Sequence, residues 1–318
     1  MSNPTRRVGG LPPQTAIDIP ESYRAMPRWW HEGSAWLDGL PDTVAALCQR
    51  WKLTLDGAAM HGSNAIAIPV RRQREPLVLR VAPPDPRSVE EIRALRFWDG
   101  RGTVRLVDAD SATGASLLER LDGERTLARL PLHEAIPIIA RTMRRLAIPA
   151  PPDVPSTATI VRERAAELEP EWEQLGRPFD RRFLDAALAA TATLGHTEST
   201  LAVNGDLHFE QVLAGTREPW LVVDPVLLRG DIEYDLARIL WSRLDEMDDD
   251  DIQRHIETIV READLDRGRA RSWIIYRAVD YWLWGLAFGL TEDPVRCARL
   301  ARVVLPSRRR SATTPASG

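Results

Sequence analysis

The chain has 318 residues, enough for roughly two domains or one two-lobed domain, and its 44% hydrophobic and 28% charged residues are ordinary globular material. That composition excludes a disordered protein, a collagen-like repeat and a disulfide-framed mini-protein. With 42 basic against 46 acidic residues the net charge is −4, without the basic excess of a dedicated nucleic-acid binder.

The two cysteines, Cys48 and Cys297, are too far apart in sequence for a CxxC site and too few for a disulfide framework, so both read as buried thiols of a cytoplasmic protein. The six histidines show no HxxxH spacing, and no zinc helix is suggested. Lys52 is the only lysine, a bias a GC-rich genome would produce.

In chain order, residues 1–16 read as a disordered tail without the apolar run of a signal peptide. Pro41 and Asp42 open a helix in which Val44, Leu47, Cys48 and Trp51 form one apolar stripe. Strands are predicted at Leu53–Leu55, Ala65–Val70 and Leu77–Val81, with turns marked by Gly57, Gly62 and the charged stretch 71–75. Ser88 and Glu91 have the spacing of a capping box, which predicts a helix over about Val89–Trp98. Further strands are expected at Val104–Val107 and Ser116–Leu121.

After Asp122–Gly123 the character changes. Helices are predicted over Thr126–Leu146, Thr157–Glu173, Arg181–Ala192, Asp251–Ala263 and Arg269–Leu290, interrupted by one β-hairpin region at Leu201–Val223. The most apolar stretch, Trp273–Leu290, is broken by Arg277 and Asp280 and reads as a buried helix rather than a membrane span. Residues 307–318 read as a second disordered tail. Sheet first and helices later predict an α+β protein of two lobes: residues 17–121 forming a small antiparallel-sheet lobe, residues 122–306 a larger helical lobe, with a hinge near Glu119–Gly123. Clefts between lobes are favoured ligand sites.

The segment Leu201–Trp241 carries the chemistry. Apolar Leu201–Val203 stops at Asn204-Gly205-Asp206, and apolar Trp220–Val223 stops at Asp224-Pro225. Rigid strands thus deliver two carboxylates at their ends. Asp206 and Gln211 are five apart, the spacing of the D-x-x-x-x-N catalytic loop of protein kinases, and Asp224 lies 13 residues further on, where that layout has its metal-binding aspartate. The chemistry needs one carboxylate to accept a hydroxyl proton and oxygen ligands to hold Mg²⁺ on phosphates.

This segment resembles the HGDLHxxN loop and following hydrophobic-Asp motif of the aminoglycoside phosphotransferase-like kinases, within which the streptomycin 6-phosphotransferase and hydroxyurea phosphotransferase family is the nearest in pattern. The supporting stretches AWLDGLP (35–41), EEIRALRFWDGRGTVRL (90–106), ASLLERLDGERTL (115–127) and REPWLVVDPVLLRGDIEYDLA (217–237) extend the likeness over about residues 18–290. The resemblance implies a two-lobed protein-kinase-like fold, ATP and Mg²⁺ as cofactors, and a small-molecule hydroxyl acceptor, cationic if it is an aminoglycoside, with neither nucleic acid nor membrane as partner. Carried over by position, Asp206 is the catalytic base, Asp224 and Gln211 hold the metal, and Asp235 braces the catalytic loop. Arg80 takes the place of the phosphate-binding lysine, Glu91 is its helix partner, and Glu119–Leu121 lies near the adenine.

Three positions depart from the family pattern: Asn204 for histidine, Gln211 for asparagine and Arg80 for lysine. Gln offers its carbonyl one methylene further out, and Arg is planar where Lys is a point charge. The departures motivate an alternative, a catalytically impaired kinase-like nucleotide- or small-molecule-binding protein; a kinase of another sugar or metabolite alcohol is a further alternative, because fold and motif do not fix the substrate. His208 reads as a phosphate contact or a packing residue, Asp231 as a helix cap, and the acid-rich run Asp245–Asp251 as a helix approach before a draw for cationic substrates. Lys52 reads as a solvated side chain, and the 11 tryptophans, Trp282 and Trp284 included, as core.

Overall fold

A computed structural model of the chain describes residues 17–29 and 33–305, so both predicted tails lie outside the described residues. The chain divides into two compact units, one running to Gly100 and including Val104–Leu121, the other comprising Arg101–Thr103 and everything from Asp122 onward.

The first unit is built on a six-stranded antiparallel sheet of β1 (Thr54–Leu55), β2 (Met60–His61), β3 (Ile66–Arg72), β4 (Glu75–Val81), β5 (Leu106–Asp110) and β6 (Ala115–Glu119). Its path is β1-β3-β4-β6-β5, with β2 also pairing β3. Period-2 alternation puts Ile66, Ile68 and Val70 of β3, and Leu77, Leu79 and Val81 of β4, into one apolar core. The helix Ala35–Trp51 adds Leu37, Leu40, Val44 and Leu47 to that core.

Two helix starts differ from the sequence expectation. The helix expected to open at Pro41 begins at Ala35 and carries Pro41 inside it. Leu37 and Leu40 extend the apolar stripe one further turn toward the N-terminus, and their burial outweighs the hydrogen bond that a proline cannot donate. The second helix is Pro86–Trp98, capped by Asp85, whose Oδ1 accepts the Ser88 N–H at 2.9 Å, with Pro86 in the first turn where its missing N–H costs nothing. Ser88 is therefore the third helical residue, not the cap, and Glu91 is released from a capping role.

The second unit holds two small antiparallel sheets. One pairs β7 (Asp122–Thr126), β9 (Val212–Ala214) and β10 (Trp220–Val222); the other pairs β8 (Leu201–Val203) with β11 (Leu228–Gly230). The polar, exposed strand β7 has no apolar alternation and was invisible to pattern reading. The predicted helix Thr126–Leu146 splits into a 3₁₀ turn, Leu127–Arg129, and a helix, Leu132–Leu146, because Pro131 stands at the break. The helix Arg267–Ala287 packs on Arg181–Leu194, on Leu236–Trp241 and on Asp293–Val304. The helix start expected at Asp231 is a 3₁₀ turn, Ile232–Asp235, that runs into the short helix Leu236–Trp241; the helix Asp293–Val304 was not predicted. No helix among the described residues is long and apolar enough to cross a membrane.

Candidate active site

Strand β8 buries Ala202 and Val203 and runs straight into Asn204-Gly205-Asp206. The turn demands glycine: Gly205 has φ +58°, and a Cβ there would lie 2.9 Å from Leu228 Cδ1. Asn204 is 1% exposed, and its Oδ1 accepts the Val226 N–H at 2.9 Å, fastening this loop to the one that follows Asp224. Beneath the loop, Leu207 and Phe209 are fully buried plugs, and the buried carboxylate of Asp235 accepts the Leu207 N–H. The backbone on either side of Asp206 is thereby fixed, while its carboxylate remains 43% exposed.

Gln211 joins the two carboxylate-bearing loops. Its Nε2 donates to Asp206 Oδ2 at 3.4 Å and to the main-chain oxygen of Asp224 at 3.5 Å. Its Oε1 is buried and has no hydrogen-bond partner. Asp224 is exposed and holds φ +50°. Among the described residues, the other non-glycine positions with positive φ (Lys52, Gln73, Asp99, Arg177 and Asp264) follow helix ends or turn the β3–β4 hairpin. Asp224 does neither, and such strain gathers at functional sites.

Among the described residues no three His, Cys, Asp or Glu side chains converge on a point. Gln211 Oε1 and the Asp224 carboxylate are two oxygen donors, which suits Mg²⁺, an ion that keeps most of its positions for water and phosphate oxygens. The orphaned Oε1 is what such an ion would satisfy: rotation of the amide turns that oxygen toward Asp206 and Asp224.

In the first unit, Arg80 on β4 stands on the face opposite the core residues Leu79 and Val81 and pairs with Glu91 at 2.8 Å. Both side chains are largely buried, at 9% and 13% exposure, so the pair is held rigidly. Glu119 ends β6 and accepts the Arg105 N–H at 2.8 Å through Oε1. Leu121, predicted to close that strand, lies beyond it and is half-buried. Between them Arg120 donates to the Leu77 carbonyl at 3.1 Å and to Asp56 at 2.6 Å, anchoring the segment to the sheet.

The titratable groups around Asp206 are tuned by burial. Burial, and then the charge of Arg238, push the His208 imidazole below its usual range, which favours the neutral ring. Burial drives the Asp235 carboxyl up to about 7, although Arg277 pulls the other way. Arg238 itself was not anticipated: its Nε donates to Asp206 Oδ1 at 2.7 Å. Nothing in linear spacing ties position 238 to position 206.

Two other expectations, for Asp231 and Trp284, resolve differently. Asp231 caps nothing; its buried carboxylate accepts from Thr197 Oγ1 at 2.6 Å and Trp273 Nε1 at 3.0 Å. Trp282 is core, but Trp284 is 39% exposed and stacks on Tyr281. Lys52 is exposed, as expected, and ends the helix Ala35–Trp51 in a left-handed cap.

A family model described as aminoglycoside/hydroxyurea antibiotic resistance kinase matches residues 50–289. The streptomycin 6-kinase of Streptomyces griseus is 36% identical over 268 residues, 82% of this chain and 87% of the relative. The chain belongs to this family. It is an enzyme, a phosphotransferase acting on an alcohol group. The hydroxyurea phosphotransferase of Kitasatospora aureofaciens, 35% identical over 307 residues, covers 94% of this chain and is itself covered to 88%. The fold has solved counterparts. Aminoglycoside phosphotransferase APH(4)-Ia in its apo form superposes with a TM-score of 0.57 at 17% identity, covering 84% of this chain and 99% of that one. Choline kinase LicA from Streptococcus pneumoniae gives 0.54 at 11% identity over 84% of this chain and 100% of that one. The protein-kinase-like α+β fold, with an antiparallel-sheet N-terminal part and a helical C-terminal part, is thus the one expected from sequence.

Proposed function

We propose that the chain transfers the γ-phosphate of ATP to a hydroxyl of an aminoglycoside-type antibiotic of the streptomycin kind. The observation that carries this reading is the Gln211 amide, which links the Asp206 carboxylate to the Asp224 main chain and keeps a buried oxygen without a partner. In this reading Asp206 accepts the proton of the attacking hydroxyl, and Oδ2, the oxygen not held by Arg238, is the one an acceptor reaches. Asp224 and Gln211 hold Mg²⁺, which, when bound, neutralises phosphate charge and aligns the leaving group. Arg80, held by Glu91, presents a guanidinium fork that matches phosphate oxygens two at a time, a geometry lysine lacks. Glu119–Leu121, fixed by Arg120, lies beside the adenine. Asn204 and Asp235 brace the loop from its two sides and touch no substrate.

The named relatives support this reading: two are kinases of streptomycin or hydroxyurea, and a structure of APH(4)-Ia with 16% identity holds ADP and hygromycin B. The test is to incubate the protein with Mg·ATP and streptomycin and follow the antibiotic by mass spectrometry. A mass gain of one phosphoryl group, absent with Asp206→Ala, is the expected result. Release of ADP with no phosphorylated streptomycin would remove streptomycin as the acceptor and turn the search to other hydroxyl compounds.

A further inference from the structure

Helix Leu236–Trp241 is one turn and a half long, and five of its six residues are buried. Leu236, Ala237, Ile239 and Leu240 are each 0% exposed and Trp241 is 2%. Arg238 alone turns outward, at 26% side-chain exposure, and its Nε donates to Asp206 Oδ1 at 2.7 Å. Among the described residues Asp206 is the carboxylate with which it forms an ion pair.

We propose that Arg238 is a positioning residue for Asp206, an inference that rests on Asp206 being the base. An aspartate on a loop, with 43% of its side chain exposed, would sample several rotamers. A charge-assisted bond from a guanidinium whose backbone is locked in the core selects one of them. The two oxygens are made inequivalent: Oδ1 is held by Arg238, and Oδ2 stays on the side of Gln211. The carboxylate face that meets the acceptor hydroxyl is thereby set before substrate arrives, and near-attack geometry tolerates little error. The same guanidinium offsets the repulsion between Asp206 and incoming phosphate oxygens. The chain places the two members 32 residues apart, so the helix following Asp235 serves as a second support for the catalytic loop beside the Asp235–Leu207 contact.

Arg238→Met keeps the stem length and removes the charge. ADP release is measured with Mg·ATP and streptomycin, and with water as acceptor if streptomycin is inert. The expected result is a fall in kcat of about 10²-fold with KM for Mg·ATP changed less than about threefold. Arg238→Lys recovers part of the rate, and added guanidinium recovers part of the rate of Arg238→Ala, which a packing role would not allow. In an Asp206→Asn background, Arg238→Met costs less than about threefold. Undiminished kcat in Arg238→Met, or the full loss repeated in the Asp206→Asn background, overturns the inference. If Arg238→Met does not fold, the guanidinium experiment decides: rescue supports the role and its absence overturns it. Asp206→Asn alone separates the two levels. If it leaves kcat intact the base assignment fails; if it abolishes transfer while Arg238→Met does not, only the role of Arg238 fails.

Discussion

Two acid-rich segments of the second unit invite opposite readings. The run Asp245–Asp251 has six acids in seven residues and looks, by charge density, like a place for a cation. The structure uses it locally. Asp248 and Asp251 form a reciprocal capping box for the helix Asp249–Ala263, Asp245 pairs with Arg296 at 2.5 Å, and Asp249 pairs with Arg299 at 2.9 Å. The segment from Asn204 to Asp224 has four acids in 21 residues, yet two of them, Asp206 and Asp224, follow strands that end buried. Asp206 is aimed by Arg238 and bridged by Gln211, and Asp224 holds a strained backbone. Density of charge marks a helix start; a rigid approach and an unsatisfied neighbour mark a site.

Substitutions break this comparison in graded steps. The largest effect is expected from Asp206→Ala, which should cut phosphoryl transfer by about 10³-fold or more while Mg·ATP affinity stays within a few-fold. A steady-state assay beside a binding titration checks both halves. Arg80→Met comes next: with the guanidinium removed, KM for Mg·ATP should rise about tenfold or more, and Arg80→Lys should lie between the two.

A smaller effect is a pH dependence at Asp235. Its carboxyl is raised from the ordinary aspartate value to about 7 in the folded chain, so between about pH 4 and pH 7 the folded state holds a proton that the unfolded state has lost. Its contribution to stability is complete below the unfolded value and fades as pH rises through about 7. The melting temperature of the native chain should therefore fall relative to Asp235→Asn as pH goes from 4 to 8; parallel curves would contradict the burial argument. The smallest step is Asp248→Ala in the acid run, expected to lower the melting temperature by about 2–4 °C and leave kcat unchanged. A loss of transfer there would overturn the reading of that segment as structural.

Much of this was legible in sequence because it is written in short range. Alternation in Ile66–Val70 and Leu77–Val81 gave the sheet, and the intervals from Asp206 to Gln211 and to Asp224 gave the cluster that Gln211 joins. What stayed hidden depends on three dimensions. The Ser88…Glu91 spacing imitates a capping box, but Asp85 followed by Pro86 wins the cap, which frees Glu91 for Arg80. Asp231 looks like a cap from its neighbours, yet it meets Thr197 and Trp273, which are remote in sequence. Strand β7 is polar throughout and forms because β9 offers it a partner edge. Arg238 is one of many arginines until the fold lays its helix against the loop that carries Asp206.

The central claim is a division of labour between Asp206 and Asp224. It is tested most directly by titrating Mg·ATP calorimetrically into the native chain, Asp206→Ala and Asp224→Ala, each with and without Mg²⁺. The account predicts metal-dependent binding that Asp206→Ala preserves and Asp224→Ala loses. Equal binding by all three proteins, or loss in Asp206→Ala with retention in Asp224→Ala, would contradict it.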